Sequence, residues 1–344
     1  MLIIGCDFHS GFQQIAIFDN QTGEIQEKKL LHAAEAAKFY RGLSGPVRVG
    51  MEAGVPCQWF RRLLADCGHE LWVGDAARIR AAEVRKQKTD RRDAELILKL
   101  MQEDRFPRIW LPSEEERDVR QLLMDRHHRV RARTQVKNQL QALALNQGLQ
   151  MGKKLWSEAG RQQLRELPMM EHASRRRNDL LQRVGELDRQ IGDLDVLVRR
   201  QAEGREDARR LMTHPGVGWQ TALAMVLTLG EVSRFENAGK VCSYLGLIPG
   251  EYSSGNKQRL GHISKQGSSL MRFLLVEAGQ TAVRGDEQLR RAYARLAAKK
   301  SRAAAKVMVA RRLAVRLYWM LRNEWTYAEL ARHAGEPGSS CGAK

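Results

Sequence analysis

The stretch LIIGCD, residues 2–7, decides the fold of the N-terminal part of this chain. Its first five residues carry no charge and predict a short buried strand, and the carboxylate of Asp7 follows them directly. The stretch VRVGM at residues 47–51 is followed in the same way by Glu52. A carboxylate beside a core is costly unless it is paired or bound to a metal. Two strands that each end in an acid therefore predict a functional site.

A second pair of acids lies in the stretch KTDRRDA, residues 88–94. Asp90 and Asp93 are three residues apart, which places both on one face of a helix. Together with the first two, these carboxylates would form a hard, oxygen-only site suited to Mg²⁺, with Mn²⁺ as a substitute. The alternative is a set of helix caps and surface ion pairs with Arg91 and Arg92. The metal site is favoured because two of the acids end buried strands.

The charge of the chain indicates a polyanionic partner. Its 58 Lys and Arg residues outnumber its 40 Asp and Glu residues, which gives a net charge of +18 over 344 residues. Such an excess is typical of nucleic-acid-binding proteins. No apolar run approaches the ~18 residues of a membrane-spanning helix. The five cysteines are scattered and form no CxxC pair, so we expect reduced thiols and a cytoplasmic location.

The first hundred or so residues predict an α/β domain. Strands are predicted at residues 1–8, 12–18, 24–31, 47–53 and 70–74, and helices at 33–43, 56–68, 76–86 and 89–103. The order β-β-β-α-β-α-β-α is that of a ribonuclease-H-like domain. In that fold, acids on the first strand, the fourth strand and a late helix meet at one end of the sheet.

The middle of the chain predicts two long helices. Residues 113–116 form a Ser-x-x-Glu capping box, which starts a basic helix that runs to about residue 148. In the second helix the apolar positions step by 4, 3, 4, 3 and 4, namely Leu180, Val184, Leu187, Ile191, Leu194 and Val198. This a/d seam favours a coiled coil that could join subunits. The alternative is an amphipathic helix packed on its own domain.

Beyond residue 205 the sequence predicts a mostly helical region. The turn HPGVG at 214–218 precedes an apolar helix at 219–229, in the manner of a helix-hairpin-helix element. A helix at 238–245 leads to a polar loop at 251–267 that contains Ser253 and Ser254. Such loops bind phosphate, carry nucleophiles or are simply mobile. Helices follow at 269–283 and at 287–321, the second strongly basic, and residues 335–344 are expected to be disordered.

These motifs together resemble one family. Asp7, Glu52 and residues 88–93 closely resemble the N-terminal acidic tetrad of the DEDD insertion-sequence transposases. The stretches HPGVG, LGLIP (245–249), YSSG (252–255) and ISKQG (263–267) resemble that family's C-terminal transposase domain. The resemblance covers about residues 1–322. It implies a RuvC-like catalytic domain at 1–110, a helical coiled-coil region at 111–206, a transposase domain with a serine loop at 207–322, and a tail at 323–344.

The resemblance also implies a function. Members of the family are serine recombinases of bacteria and archaea, guided by a structured bridge RNA that the element encodes. By this resemblance, Asp7, Glu52, Asp90 and Asp93 bind the metal, and Ser254 is the nucleophile. The implied partners are target and donor DNA, the guide RNA, and further copies of the chain in a dimer or tetramer. Residue chemistry alone does not separate Ser254 from Ser253.

Two other functions fit the same residues. A metal-dependent RuvC-like resolvase or nuclease would use the acids alone, with Ser254 structural, and would release free DNA ends. A non-catalytic nucleic-acid-binding scaffold would keep all its activity when Asp7 and Ser254 are replaced. A covalent protein–DNA intermediate is expected only of the recombinase.

Overall fold

The computed structural model of the protein describes residues 1–54, 57–83, 89–252 and 259–333. It divides into two units, Met1–Leu111 and Pro112–Lys344. The first is a mixed α/β sheet domain, and the described part of the second is mostly helical, as predicted. The finer division of the second unit into a coiled-coil region, a transposase domain and a tail stays a prediction.

A five-stranded sheet forms the centre of the first unit. Its strands are β1 Leu2–Phe8, β2 Phe12–Asp19, β3 Ile25–Leu31, β4 Val47–Glu52 and β5 Glu70–Gly74. The first three form an antiparallel meander, and β4 lies parallel to both β1 and β5, which gives the order β3-β2-β1-β4-β5. All five strands lie where the sequence predicts them, with ends that differ by one residue at most.

Helices cover both faces of this sheet. They are α1 Ala34–Arg41, α2 Gln58–Asp66, α3 Ala76–Ala81 and α4 Asp90–Gln102. Alternate residues of a strand face opposite sides. Ile4 therefore joins a core with Tyr40 and Phe60 from α1 and α2, whereas Ile3 joins a core with Leu98 of α4. The predicted helix at 76–86 ends at Ala81, and residues 84–88 lie outside the described residues.

The second unit is built from ten helices among its described residues. They are α5 Glu114–Asn146, α6 Glu158–Glu166, α7 Glu171–Glu203, α8 Glu206–Met212, α9 Trp219–Leu229, α10 Ala238–Tyr244, α11 Ser269–Gly285, α12 Glu287–Lys299, α13 Arg302–Arg322 and α14 Tyr327–His333. A two-stranded antiparallel sheet is formed by β6 Pro249–Glu251, which ends at the first residue of the predicted polar loop, and β7 Leu260–Ile263, which lies inside that loop. No helix in the described ranges is both long and apolar enough to cross a bilayer.

Helices α5 and α7 form an antiparallel hairpin. The predicted capping box starts α5, with Ser113 and Glu116 each accepting a hydrogen bond from the other's backbone N–H. Arg133 reaches Asp188 at 2.8 Å, and Arg126 pairs with Asp195, so partners recede along α7 as they advance along α5. This order of ion pairs shows that α5 and α7 run in opposite directions.

The predicted seam of α7 packs inside its own chain. Val184 and Leu187 join a core with Val136 and Leu140 of α5, and Leu187 is only 8% exposed. The seam residues are therefore already covered by α5, which is a helix of the same chain. This corrects the expectation that the seam is available to join subunits, and it favours the alternative of packing within one unit.

One further prediction about the C-terminal region is wrong. The predicted helix at 287–321 is divided into α12 and α13, because the Ser301 side chain accepts a hydrogen bond from the Ala304 backbone and starts a new helix. The predicted tail contains α14, whose Leu330 is buried in the main helical core. Residues 334–344 lie outside the described residues, so their predicted disorder stays a prediction.

A buried polar cluster ties the ends of several helices together. Asp286 is 4% exposed and accepts hydrogen bonds from the Leu289 backbone at 2.7 Å, from Arg316 at 2.5 Å and from the Tyr327 hydroxyl at 2.7 Å. The ring of His214, 1% exposed, meets Tyr327 edge-on at 4.7 Å. The cluster thus joins the starts of α12 and α14 to the side of α13.

Candidate metal site and serine loop

Asp7 and Glu52 lie side by side at one end of the sheet. Strands β1 and β4 are parallel, and their register pairs Cys6 with Met51, so that the next positions bring Asp7 beside Glu52. Both acids face the side of the sheet that α4 covers, since they follow Gly5 and Gly50 at a spacing of two residues. The hydrogen-bonded strands therefore fix the separation of these two carboxylates.

Two glycines allow α4 to lie close to the sheet. A β-carbon added to Gly5 would lie 2.5 Å from the backbone nitrogen of Leu98, and one added to Gly50 would lie 3.2 Å from a methyl carbon of Ile97. At Gly5 the contact is with backbone and leaves no room for a side chain, whereas at Gly50 the Ile97 side chain would have to give by a few tenths of an ångström. The predicted buried strands thus contain glycine at the points where the helix crosses them.

The first turn of α4 carries the other two acids. Thr89 caps the helix, with its hydroxyl accepting a hydrogen bond from the Arg92 backbone. Asp90 and Asp93 follow in the first turn, where the helix dipole favours negative charge. Because α4 packs across β1, this turn lies at the end of the sheet that holds Asp7.

A histidine that the sequence analysis did not select joins Asp7 to Asp90. The Nε2 atom of His9 lies 2.9 Å from Oδ2 of Asp7 and 3.6 Å from Oδ1 of Asp90. The three ligand atoms all lie within 4.8 Å of one another, which is close enough for one metal ion to reach them. The spacing Asp7-x-His9 is a signal in the sequence, since His9 directly follows β1 and the alternation of that strand, continued by one residue, places it on the face of Asp7.

Glu52 and Asp93 face a neighbouring small cavity. They line a space of about 110 Å³ together with Arg80 and Glu83. Arg80 donates a hydrogen bond to Glu52 at 3.2 Å. The structure therefore brings all four predicted acids to one end of the sheet, with Asp7 and Asp90 around His9 and the other two at the adjacent cavity.

The electrostatics of Asp7 suit a cation. Burial raises the pKa of its carboxyl group; His9 opposes this rise, and the negative charges of Asp93 and Asp90 add to it. Like charges in close array repel, and a divalent cation would relieve that repulsion. Carboxylate oxygens and an imidazole nitrogen are both ordinary ligands of divalent metals, so these residues fit such an ion.

The predicted nucleophile lies outside the described residues. Ser253 and Ser254 belong to the range 253–258, which the structure does not describe. The flanking strands β6 and β7 pair in antiparallel fashion, and the Tyr252 backbone N–H donates to the Arg259 carbonyl at 2.9 Å. The role of Ser254 therefore stays a prediction.

The glycine-rich turn before α9 has a packing role. Gly216 adopts a positive φ of 82°, and a β-carbon there would lie 2.7 Å from the Ala278 carbonyl oxygen of α11. Only glycine satisfies both demands. This close approach accounts for the Pro-Gly pair, and the phosphate-binding role suggested by the helix-hairpin-helix pattern stays a prediction.

The arginines of α5 are not all available to a polyanion. Arg126 and Arg133 are paired with acids of α7 in the hairpin. Arg131, in contrast, is exposed on the opposite side and lines an open groove with His127 and Phe273. Burial lowers the pKa of His127, and the positive charge of Arg131 lowers it further. The groove therefore presents one exposed cationic side chain, that of Arg131.

Comparisons with known proteins give a consistent picture. Residues 208–294 match the family described as "Transposase IS116/IS110/IS902 family", and residues 4–147 match the DEDD domain of IS110-type proteins, described as "Transposase". The acids and their sheet lie in the second of these matches. A DEDD domain indicates a divalent metal, in agreement with the ligand types found at the end of the sheet.

Curated bacterial proteins are similar over much of their length. A probable family 20 transposase of Pseudomonas aeruginosa is 30% identical over 268 residues, which cover 75% of this chain and 77% of the relative. The transposase for insertion sequence element IS1111A of Coxiella burnetii is 29% identical, over 58% of this chain and 56% of the relative. The transposase for IS1328 of Yersinia enterocolitica is 27% identical, over 68% and 70%.

Proposed function

The chain belongs to the IS116/IS110/IS902 family of transposases, and we propose that it cleaves and rejoins DNA strands when an insertion sequence moves. One observation carries this proposal: Asp7 and Glu52 end adjacent parallel strands, and α4 brings Asp90 and Asp93 to the same end of the sheet. Convergent carboxylates on a chain with a net charge of +18 suit phosphodiester chemistry.

The first unit is proposed to be a RuvC-like domain of the ribonuclease-H type. Its antiparallel meander followed by two parallel strands supports this identity, as does the order β3-β2-β1-β4-β5. In that fold the acids stand on the first strand, the fourth strand and a late helix. Asp7, Glu52 and the pair on α4 occupy those elements here.

The four carboxylates are proposed to hold Mg²⁺, or Mn²⁺ in its place. When bound, such an ion activates an oxygen nucleophile and stabilises charge on the phosphoryl group. Asp7 and Glu52 hold their positions through the strand hydrogen bonds, whereas Asp90 and Asp93 hold theirs through the cap of α4. The protein thereby presents a preformed set of oxygens to the substrate.

Ser254 is proposed as the nucleophile, on the basis of the family resemblance. Its Oγ would bond to a DNA phosphorus while the bond from that phosphorus to a deoxyribose oxygen breaks. The hydroxyl proton passes to a base, and the departing oxygen takes up a proton. The phosphoserine bond conserves the energy of the broken linkage, so a DNA hydroxyl can reverse the attack and rejoin strands without ATP.

The proposed partners follow from the same family. They are target and donor DNA, a structured guide RNA encoded by the element, and further copies of the chain in a dimer or tetramer. The net charge of +18 supports polyanionic partners, because neutralised phosphates release counterions on binding. Since the α7 seam is covered within the chain, any subunit contact must use other surfaces.

The acids and the serine can be tested by separate substitutions. With guide RNA and DNA, the wild type should form protein covalently attached to DNA when the reaction is stalled. Asp7→Asn should abolish strand exchange and keep RNA binding, whereas Asp66→Asn, an exposed acid at the end of α2, should remain active. Full recombination by Asp7→Asn would remove the acids from the mechanism.

The serine variants identify the nucleophile. Ser254→Ala should lose both the adduct and all exchange, and Ser253→Ala should keep substantial activity. An adduct that survives in Ser254→Ala and disappears in Ser253→Ala would move the assignment by one residue. Metal-dependent cleavage without any adduct in the wild type would contradict the serine mechanism and indicate hydrolysis.

A further inference from the structure

His9 stands between two carboxylates that come from different elements. Its Nε2 atom lies 2.9 Å from an oxygen of Asp7, at the end of β1, and 3.6 Å from an oxygen of Asp90, in the first turn of α4. An ordinary ion pair needs only one carboxylate. One nitrogen that faces two acids from separate elements has the arrangement expected around a shared centre.

We propose that His9 is a nitrogen ligand of the divalent cation held by Asp7 and Asp90, and that it makes the site favour transition metals over Mg²⁺. This inference rests on the proposed function, which places a metal at the acids. It assigns to the site a ligand of a different chemical type from the four carboxylates.

The separations agree with metal coordination. Ligand atoms about 2.1 Å from a metal lie about 3.0 Å apart when adjacent in an octahedron and about 3.4 Å apart in a tetrahedron. The two His9 distances, 2.9 Å and 3.6 Å, bracket these values. Small rotations of the three side chains would therefore let one ion reach all of them.

The surroundings hold the imidazole ring in this position. The ring stacks on Phe12 with centroids 4.6 Å apart, and Lys29 covers a face of Phe12 at 3.9 Å. Asp7 is 17% exposed, so it is largely withdrawn from water, whereas His9 at 39% can still meet an entering ion. A ligand fixed in advance loses less freedom on binding.

The choice of metal follows from the ligand type. Imidazole nitrogen suits Mn²⁺ less than it suits Co²⁺ or Zn²⁺, but it suits all three better than Mg²⁺, which prefers oxygen and retained water. A site with carboxylates alone would bind Mg²⁺ and Mn²⁺ with more similar affinities. His9 is thus expected to set the ratio of the two affinities.

The test uses the full chain and Mn²⁺ alone, up to millimolar concentration, followed by pulsed electron paramagnetic resonance. Wild-type protein should show coupling of the bound Mn²⁺ to one imidazole nitrogen. His9→Ala and His9→Asn should lose that coupling and bind Mn²⁺ at least about tenfold more weakly. Their Mg²⁺ affinity should change by less than about threefold, because Mg²⁺ relies on the oxygens. His172→Ala, at an exposed histidine of α7, should match the wild type.

The outcomes separate the inference from the function on which it rests. In one outcome, the wild type binds Mn²⁺ without nitrogen coupling and Asp7→Asn loses this binding. That result would overturn the role of His9 and leave the metal at the acids. Coupling that persists in both His9 variants would overturn it as well. Binding that is indifferent to Asp7→Asn, or absent altogether, would overturn both proposals.

Discussion

Gly5 of β1 lies directly against the backbone of Leu98 in α4, at a distance that excludes any side chain. A β-carbon at position 5 would lie 2.5 Å from the Leu98 nitrogen and would also overlap the Ala94 carbonyl oxygen. Both neighbours are backbone atoms, which cannot rotate away as a flexible side chain could. The position of α4, and with it that of Asp90 and Asp93, therefore depends on this glycine.

Gly5→Ala should displace α4 and destabilise the first unit by about 1–3 kcal/mol, the usual cost of overpacking a core. Thermal unfolding monitored by circular dichroism would measure the loss. Gly11→Ala is the matched control, because a β-carbon at Gly11 meets nothing within 4 Å. Equal melting temperatures for the two variants would contradict the close approach of α4.

Leu187→Asp should unfold the α5–α7 hairpin rather than separate subunits. Leu187 is 8% exposed within its own chain, so a carboxylate there would have to be buried, at a cost of about 3 kcal/mol or more. Val196→Asp, at a position that is 67% exposed, should be nearly neutral. The loss for Leu187→Asp should be the same at low and high protein concentration. A loss that appears only on dilution would indicate an intersubunit seam.

Acid should destabilise the protein through His214. Burial lowers the pKa of this imidazole to about 4, from 6.5 in the unfolded chain. The unfolded state therefore binds more protons between these values, and stability falls as pH decreases from 6.5 to 4. The full loss amounts to about 3 kcal/mol at about 1.4 kcal/mol per pKa unit. Urea unfolding of His214→Phe should show a flatter dependence over this window; an unchanged slope would exclude His214.

Asp286 should act in a lower pH window. Burial would raise the pKa of its carboxyl group, but hydrogen bonds from the Leu289 backbone, Tyr327 and Arg316 together hold it below the usual 3.8. The stabilisation is therefore present above pH 3.8 and is lost as pH falls through the lower folded value. Asp286→Asn should cost about 3 kcal/mol at pH 7, since it leaves Arg316 without its buried partner. Differential scanning calorimetry would measure this loss of stability. A loss near zero would contradict the role of Asp286.

Affinity for nucleic acid should fall steeply with salt, and two neighbouring arginines should contribute differently. A chain that neutralises many phosphates should lose at least about 100-fold in affinity between about 50 and 200 mM salt. Arg131→Ala should weaken binding and reduce the salt slope. Arg133→Ala should mainly lower stability, because Arg133 is paired with Asp188. Fluorescence anisotropy and thermal unfolding of both variants would test this, and equal effects of the two on the slope would contradict it.

The sequence predicts the strands of the sheet and the convergence of the four acids at one end of it, for a physical reason; the metal-binding role of the acids stays a prediction. Strand bounds follow from short apolar runs bounded by turns, and Asp7 and Glu52 stand out because each ends such a run. His9 was missed because its partner Asp90 is remote in sequence, and only the packing of α4 brings the two together. The role of Ser254 stays a prediction that rests on resemblance.

Three other features could not be predicted from the sequence. An a/d seam indicates that α7 packs against a helix, but nothing in the seam tells whether that helix belongs to the same chain. The break at Ser301 has no glycine or proline to mark it, and only the cap on α13 reveals it. The basic residues of α5 are visible in the sequence, whereas the pairing of Arg133 with Asp188 is not.

The antiparallel hairpin sets a rule for changing its length. Val119 and Val198, at the base of the hairpin, are part of the largest helical core. The ion pairs Arg126–Asp195 and Arg133–Asp188 are seven residues apart on each helix. A deletion of seven residues from one helix alone would leave every ion pair beyond it out of register. The same deletion made at facing positions in both helices would shorten the hairpin by about 10 Å and leave its base unchanged. The hairpin is therefore expected to tolerate the removal of one matched seven-residue segment from each of its two helices.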